Sequence, residues 1–286
     1  MISGIFRLIK NIIKLAVISC LAVSLLYIYT TEIEPKLLRV IEHNISVEGE
    51  NAHLEDIKIV QFTDTHVGAF FEKEDMQKVI HKINELEADI VVFTGDLVDH
   101  WGKYDEENEL SELLKSIKAP LGKFAVYGNH DYGGGGYKIY KKFMENSGFN
   151  VLINEVYTVA LENEKQLNIA GLDDALLGEP QIDKLMKQID KNDYNILLAH
   201  EPDIADEVPQ NVIDIQLSGH SHGGQVELPG VTERIVPTYA KNYIEGMYQI
   251  SPRTKLYVNT GIGSTQVPFR LGNIPEITLL TFNEVN

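Results

Sequence analysis

The polar residues that follow the apolar runs of this chain constrain its fold more than any other feature. Each group comes directly after a short run rich in Ile, Val, Leu or Phe, which is typical of a buried strand. In chain order, these polar residues are Asp64, His66, Asp96, Asp99, Asn129, His130, His200, His220 and His222. Because ligands in α/β sheets bind beyond the carboxyl ends of the strands, we expect these side chains to converge on one place.

The segments between the early strands are predicted to be helices. Met76, Val79, Ile80 and Ile83 recur at helical spacing, and residues 106–118 follow the same kind of pattern. Strands and helices therefore alternate in the first half of the chain, as they do in an α/β fold.

Strand patterns cluster in the second half of the chain. Residues 151–174 resemble a hairpin with its turn near Asn163, and further apolar runs follow. We therefore predict a layered α/β/β/α sandwich of two mixed sheets flanked by helices, with an N-terminal transmembrane or signal-anchor helix.

The amino terminus has the pattern of a membrane segment. An apolar run from Leu15 to Tyr29 follows a basic start and approaches the roughly 20 residues that a helix needs to cross a bilayer. We expect residues 1–31 to be an uncleaved anchor or signal segment in the cell membrane. Positive residues before the run predict a cytoplasmic amino terminus, with the body of the protein outside.

The apolar segment has two alternative interpretations, a cleaved signal peptide and a lipoprotein signal. A cleaved signal peptide would release a secreted protein, but no A-x-A-like site follows the run. A lipoprotein would be modified at Cys20, yet the apolar run continues well beyond that residue. Residues 32–56 are expected to be a linker and the start of the domain, with a first hairpin, and residues 57–286 to be the domain itself.

Charge and cysteine content exclude several classes of protein. The 286 residues carry a net charge of −17, so the surface should repel a phosphate backbone and nucleic acid is not an expected partner. The single cysteine excludes an intramolecular disulfide and any cysteine-rich metal site.

The polar residues at the strand ends are suited to binding metal ions. Carboxylate, imidazole and amide donors without a thiolate favour Mn, Fe or Zn. More donors are present than one tetrahedral ion uses, which indicates two ions that share a carboxylate.

A serine hydrolase is the competing interpretation of one motif. Gly219-His220-Ser221-His222-Gly223 matches the nucleophile elbow G-x-S-x-G. An elbow requires a helix after the serine, but Gly, Pro and β-forming residues follow here. The order of that triad also requires a later histidine, and the chain has none after His222. Ser221 is therefore predicted to be a spacer between two ligands.

The motifs "DTH", "GDLVD", "GNHD", "AH" and "GHSHGGQ", in this order, resemble those of the calcineurin-like metallophosphoesterase superfamily. The resemblance covers residues 57–284, and the apolar leader and the ending "NTGIGSTQVPFRLGNIPEITLL" resemble a membrane-associated bacterial branch. It implies a metal-dependent hydrolase of a phosphodiester, pyrophosphate or phosphomonoester bond, on a lipid-linked or envelope substrate. A catalytically inactive binding or sensor protein on the same fold is the alternative.

The resemblance also implies residue roles. A hydroxide that bridges two divalent metal ions (Mn, Fe or Zn) would attack phosphorus, His130 would assist the leaving oxygen, and Asp99 would orient His130. The implied ligands are Asp64, His66, Asp96 and His222 for one ion, and Asp96, Asn129, His200 and His220 for the other.

Two positions leave the phosphate-binding group open. Some relatives carry Arg directly after the second Asp of the GD motif, whereas this chain has His100. Arg270 is expected either to contact an anionic substrate or to form a surface salt bridge.

Overall fold

The fold is taken from a computed structural model that describes residues 2–161 and 165–284. The expected turn near Asn163 lies outside the described residues. The α-helices are α1 (Ile2–Ile28), α2 (Lys73–Glu85), α3 (Glu107–Lys115), α4 (Asn129–Tyr132), α5 (Tyr140–Asn146), α6 (Ile182–Met186) and α7 (Thr232–Ile235).

The strands form two sheets. They are β1 (Arg39–Val47), β2 (Lys58–Phe62), β3 (Ile90–Phe93), β4 (Gly122–Ala125), β5 (Asn150–Val151), β6 (Glu155–Ala160), β7 (Gln166–Gly171), β8 (Asn195–Leu198), β9 (Ile215–Ser218), β10 (Gly246–Gln249), β11 (Lys255–Val258) and β12 (Glu276–Glu284).

Both sheets are mixed. The first has the order β1-β12-β2-β3-β4-β5, in which β12 runs antiparallel to β2 and the pairs from β2 to β5 are parallel. The second has the order β10-β11-β9-β8-β7-β6, with antiparallel pairs at its two edges and parallel pairs between them. The β6–β7 pair is the hairpin expected from the sequence.

The two sheets pack face to face, and helices cover their outer faces. Ile59 and Phe124 of the first sheet share one buried cluster with Ile196 and Leu217 of the second. On the outer face of the first sheet, α2, α3 and α5 contribute to another cluster, and residues near α6 cover the second sheet. The predicted α/β/β/α sandwich is confirmed.

Local sequence explains the central strands and the first covering helix. Every residue of β3 is buried, as expected for a parallel strand with both faces covered. In α2, Val79 and Ile83 are buried, and the Asp75 carboxylate accepts a hydrogen bond from the Glu72 N–H before the first turn.

Strand β1 corrects one expectation. A hairpin was expected within residues 32–56, but β1 instead pairs in parallel with β12, from Arg39 opposite Glu276 to Val47 opposite Glu284. A local hairpin would leave the apolar side of β1 exposed, whereas this pairing buries Ile45 and Val47 in the core between the sheets.

Helix α1 lies outside the sandwich. Among the described residues, Gly4–Lys36 is the one helical stretch long and apolar enough to cross a membrane, with a mean hydropathy of 2.2. The most apolar part of this helix is not buried against the rest of the protein, so α1 is not a core helix. A membrane span and a signal sequence both have this character.

The end of this helix is attached to the domain. A π-turn, Tyr29–Ile33, and a 3₁₀ turn, Glu34–Lys36, follow α1. The backbone carbonyl of Thr30 accepts from the Arg270 N–H at 3.0 Å, and the buried Glu34 carboxylate accepts from the Asn273 N–H at 2.7 Å. The helix therefore leaves the sandwich beside residues 270–273.

Candidate metal centre

The predicted site residues converge at one edge of the sandwich. They follow β2, β3 and β4 of the first sheet and β8 and β9 of the second, all at the carboxyl ends of parallel strands. A cleft of about 410 Å³ opens there. Its polar lining is formed by His66, Asp96, Asn129, His130, His220 and His222, together with Ser221, Gln225, Thr265 and Gln266. Asp64 and His200 are buried beside this lining.

One group of ligands consists of Asp64, His66 and His222. Each offers an atom within 4.8 Å of the others. The Nε2 atoms of His66 and His222 are 3.0 Å apart, and Asp64 Oδ1 is 3.4 Å from His222 Nε2. Because two imidazole nitrogens and a carboxylate face one another in a buried space, they can hold one divalent cation.

A second group consists of Asp96, His200 and His220. His200 Nε2 is 3.3 Å from Asp96 Oδ2 and 3.2 Å from His220 Nδ1. Asn129 also lines this cleft, and its Oδ1 is buried without a hydrogen-bond partner among the described residues. A buried oxygen without a partner is costly unless a ligand satisfies it, so the donor set fits a second cation.

Asp96 connects the two groups. Its Oδ2 is 3.5 Å from His66 Nε2 and 3.3 Å from His200 Nε2. Its Oδ1 accepts a hydrogen bond from the His130 N–H at 2.8 Å. One carboxylate oxygen therefore lies between the imidazoles of both groups, which is where a shared ligand must be.

Hydrogen bonds at the outer nitrogens orient two of the imidazoles. His200 Nδ1 donates to the Thr94 carbonyl at 2.7 Å, and His220 Nε2 donates to the Thr238 carbonyl at 2.9 Å. In each neutral ring the proton is then on the outer nitrogen, and the inner nitrogen keeps its lone pair for a metal.

The two histidines of the glycine-rich motif are held neutral. Burial is the largest cause of the low pKa of His220, which is about 3. Burial, His66 and Arg270 together hold the pKa of His222 well below its usual value. Neutral imidazole is the form that binds metal ions.

His130 lies beside both ligand groups, and one of its ring nitrogens is within 4.8 Å of candidate ligand atoms of His66 and Asp99. Its Nδ1 donates to the Asp99 backbone carbonyl at 2.8 Å and is 3.5 Å from Asp99 Oδ1. Burial opposes a charge on this ring, but Asp96 and Asp99 raise its pKa above the usual value. The backbone carbonyl of Asp99 makes the shorter contact, whereas the sequence suggested only its carboxylate. His130 Nε2 remains available to exchange a proton.

The backbone of the site is strained. Five of the expected ligands have a positive φ, a conformation that costs a non-glycine residue roughly 1–3 kcal/mol. They are Asp64 (52°), His66 (44°), Asp96 (62°), His220 (67°) and His222 (50°). Such strain persists only where the surrounding structure enforces it, and it is concentrated at functional sites.

Asp131 enforces part of this geometry, and the sequence alone did not give it a role. Its buried carboxylate accepts N–H groups from Asp96 at 2.7 Å, Leu97 at 3.1 Å and Gly128 at 3.0 Å. Burial and the nearby Asp96 raise the pKa of Asp131 to about 7. The available signal was its position three residues after Gly128, which is that of a capping residue at the start of α4.

Two glycines allow the strand ends to approach each other. A Cβ atom on Gly219 would overlap Asp64 Oδ2 and Thr63, and one on Gly128 would overlap the Asp96 carboxylate. Any side chain at either position would displace a candidate ligand.

Ser221 has the surroundings of a spacer. It is buried, and its Oγ accepts a hydrogen bond from the Gly223 N–H at 3.1 Å. Among the described residues no imidazole hydrogen-bonds to this hydroxyl, and a 3₁₀ turn, His222–Gly224, follows it in place of the helix of a nucleophile elbow.

Both expectations for Arg270 were wrong. The side chain is fully buried, so it forms neither a surface salt bridge nor a contact in the open cleft. Its guanidinium donates to the carbonyls of Thr260, Gly261 and Gly263, and Nη2 is 3.5 Å from His222 Nδ1. Arg270 thus cross-links the loops around the first ligand group.

His100 does not line the cleft. Its ring packs close to Gly134 and Gly102, and the cleft surface excludes it. His100 therefore lies outside the surface of the candidate metal site.

Comparisons with known proteins agree with this geometry. A family profile described as calcineurin-like phosphoesterase matches residues 57–224. An "Uncharacterized metallophosphoesterase YkuE" of Bacillus subtilis is 40% identical over 91% of this chain and 91% of its own length.

Two further relatives have names that state a membrane location or an enzymatic activity. A "Transmembrane protein with metallophosphoesterase domain" of Danio rerio is 28% identical over 99% of this chain and 64% of its own length. The "UDP-2,3-diacylglucosamine pyrophosphatase LpxG" of Chlamydia trachomatis is 27% identical over 90% of this chain and 92% of its own length.

Proposed function

The chain belongs to the calcineurin-like phosphoesterase family, and from this premise we propose that it is a membrane-anchored, two-metal hydrolase of a lipid-linked phosphodiester or pyrophosphate. A phosphomonoester or another envelope substrate is the other form of the same proposal. The position of Asp96 Oδ2, within 3.5 Å of imidazole nitrogens from both ligand groups, is the observation that carries it.

Two ligand sets would hold the ions. Divalent cations (Mn, Fe or Zn) supply Lewis acidity and activate water for attack on phosphorus. Asp96 belongs to both sets. The first set is Asp64, His66, Asp96 and His222, and the second is Asp96, Asn129, His200 and His220.

His130 supplies the proton for the leaving oxygen. Asp99 holds Nδ1 of this ring, which leaves Nε2 to donate as the ester bond breaks. The raised pKa of His130 keeps the ring protonated at a higher pH than a free imidazole would be. A protonated His130 also stabilises the negative charge that develops on the leaving group.

The membrane location suggests the substrate. We assign residues 1–31 to an anchor in the cell membrane, 32–56 to a linker and the start of the domain, and 57–286 to the metallophosphoesterase domain outside the cytoplasm. A secreted form produced by signal cleavage is the alternative. The exposed apolar helix and the named activity of the Chlamydia relative, a pyrophosphatase of a diacylated nucleotide sugar, support a lipid-linked substrate.

Hydrolysis of mono-, di- and pyrophosphate esters by the full-length protein with Mn²⁺ tests this function. Asn129→Ala and His220→Ala should each lower the rate by at least about a hundredfold, because each removes a ligand. Ser221→Ala is the matched control within the same motif and should retain the rate within about threefold, since its hydroxyl makes one backbone contact.

Three outcomes would contradict the proposal. Unchanged hydrolysis in both ligand variants would remove the metal mechanism. Loss of activity in Ser221→Ala alone, with metal still bound, would restore the serine mechanism. Metal binding without hydrolysis of any ester would support the inactive binding protein.

A further inference from the structure

The cleft has an apolar wall beside its candidate metal ligands. Val226, Ile235, Pro237, Val267 and Phe269 line the same 410 Å³ space as His130 and the ligands. A small polar phosphate ester would bury little apolar surface against these side chains. A substrate that carries a hydrocarbon chain would bury it.

The wall continues outward as an apolar rim, which we define as Leu228, Val231, Ile235 and Val267. Their exposed fractions are 44%, 42%, 50% and 37%. Two of the four, Ile235 and Val267, also line the cleft, so the rim and the wall are continuous. Contiguous exposed apolar surface on a folded protein marks a contact with lipid or with a partner.

The rim lies next to the end of the membrane helix. Val267 and Phe269 face the cleft, whereas Pro268 between them lines a small cavity together with Thr31 and Pro35. The next residue, Arg270, donates its backbone N–H to Thr30. One short segment therefore contacts the cleft on one side and the helix end on the other.

If α1 is the proposed membrane anchor, the end of this helix would lie at the level of the membrane surface. Tyr27 and Tyr29 are exposed there, and the charged residues Glu32 and Lys36 follow. Aromatic side chains at the end of an apolar span are typical of the bilayer interface. The hydrogen bond between Thr30 and Arg270 would then hold the cleft wall close to the bilayer interface.

We propose that the apolar wall and rim form a subsite for the acyl chain of a membrane lipid whose phosphate occupies the candidate metal centre. This inference rests on the proposed function and names the part of the substrate that the metal ligands cannot recognise. The acyl chain of the lipid enters the cleft from the bilayer that holds α1. Net charge does not provide this contact, because a protein of charge −17 is repelled by anionic lipid head groups.

Two chromogenic diesters with the same scissile bond test the subsite. Full-length protein in phosphatidylcholine vesicles is assayed with Mn²⁺ on p-nitrophenyl hexadecyl phosphate and on p-nitrophenyl methyl phosphate. The wild-type protein should prefer the long-chain ester, measured as the ratio of the two kcat/KM values. Ile235→Ser with Val267→Ser should lower that ratio by about tenfold or more, since two apolar contacts with the chain are lost.

Leu177→Ser is the matched control, because Leu177 is 58% exposed and lies outside the cleft. It should leave the ratio unchanged. Hydrolysis of both esters without a long-chain preference, or a ratio unaffected by the double variant, would overturn the acyl-chain subsite alone. Hydrolysis of neither ester by the wild-type protein would overturn the acyl-chain subsite, and failure of the mono-, di- and pyrophosphate screen as well would overturn the proposed function.

Discussion

Arg270 shows how one buried charge can organise a metal site without coordinating an ion. Burial lowers its pKa to about 10, so it is still protonated at neutral pH, and the nearby Asp64 favours that charge. Its guanidinium satisfies backbone carbonyls on the loop that follows β11, and its backbone N–H holds the helix end at Thr30. The side chain thus stabilises the loops of the candidate metal site, and the backbone N–H attaches the end of α1 to the domain.

Arg270→Ala should therefore destabilise the protein strongly. Several buried carbonyls lose their donor, and we expect the free energy of unfolding to fall by about 3 kcal/mol or more. Denaturant unfolding of the protein in detergent measures this. Arg234→Ala, at an exposed arginine, is the control and should change stability by less than about 0.5 kcal/mol. Equal effects of the two substitutions would show that the buried contacts contribute nothing.

At the scale of elements, the candidate metal site requires the ends of neighbouring strands to lie so close together that only glycine fits between them. The loops after β2 and β9 meet at Gly219, where a Cβ atom would overlap the Asp64 carboxylate. Gly219→Ala should displace Asp64 and lower the bound metal to less than about half of the wild-type content. Gly133→Ala is the control, because a Cβ there meets open space and its φ is −66°. Wild-type metal content in both variants would show that the close approach is not required.

Strand β1 belongs to the folded domain, so the domain begins before the first motif, which starts at Asp64. A chain truncated to begin at Tyr29 keeps β1 and its nine-residue pairing with β12, and it should fold and be monomeric in detergent. A chain that begins at Glu48 exposes the edge of β12 and loses the burial of Ile45 and Val47, so it should aggregate. Size-exclusion chromatography and circular dichroism distinguish the two. A folded monomer from the shorter chain would contradict this role for β1.

The sequence predicts those elements whose signals are local. Apolar runs that end in Asp, His or Asn indicate both the parallel strands and the convergence of their ends, as His200 and His222 illustrate. The pairing of β1 with β12 joins residues more than 200 positions apart, and no local pattern specifies it. The burial of Arg270 depends in the same way on loops that only the fold brings together. For Asp131 the capping position was visible, but its three backbone contacts were not.

For the whole molecule, the consequential question is which side of the membrane carries the cleft. Basic residues before the apolar helix predict that the acidic body is outside the cytoplasm. Protease added to intact cells should then degrade the domain and leave a cytoplasmic marker protein intact. Protection of the domain until the cells are lysed would reverse the assigned orientation.

The arrangement of the whole molecule also links location to substrate choice. The helix end, the segment around Pro268 and the cleft wall are neighbours in space, so a membrane that held α1 would lie beside the cleft. With the proposed anchor in place, the enzyme would act on molecules that remain in the bilayer. Its acidic surface does not favour nucleic acid.

The proposed two-metal site depends on Asp96 as a ligand shared by both ions, and the metal content of the protein tests this role. Wild-type protein purified without chelator should contain about two divalent ions per chain, and Asp96→Asn should contain few or none, because Asp96 Oδ2 is the oxygen common to both ligand groups. Elemental analysis of the two proteins, with their phosphodiester hydrolysis measured in parallel, gives the answer. Undiminished metal and activity in Asp96→Asn would contradict the two-metal site.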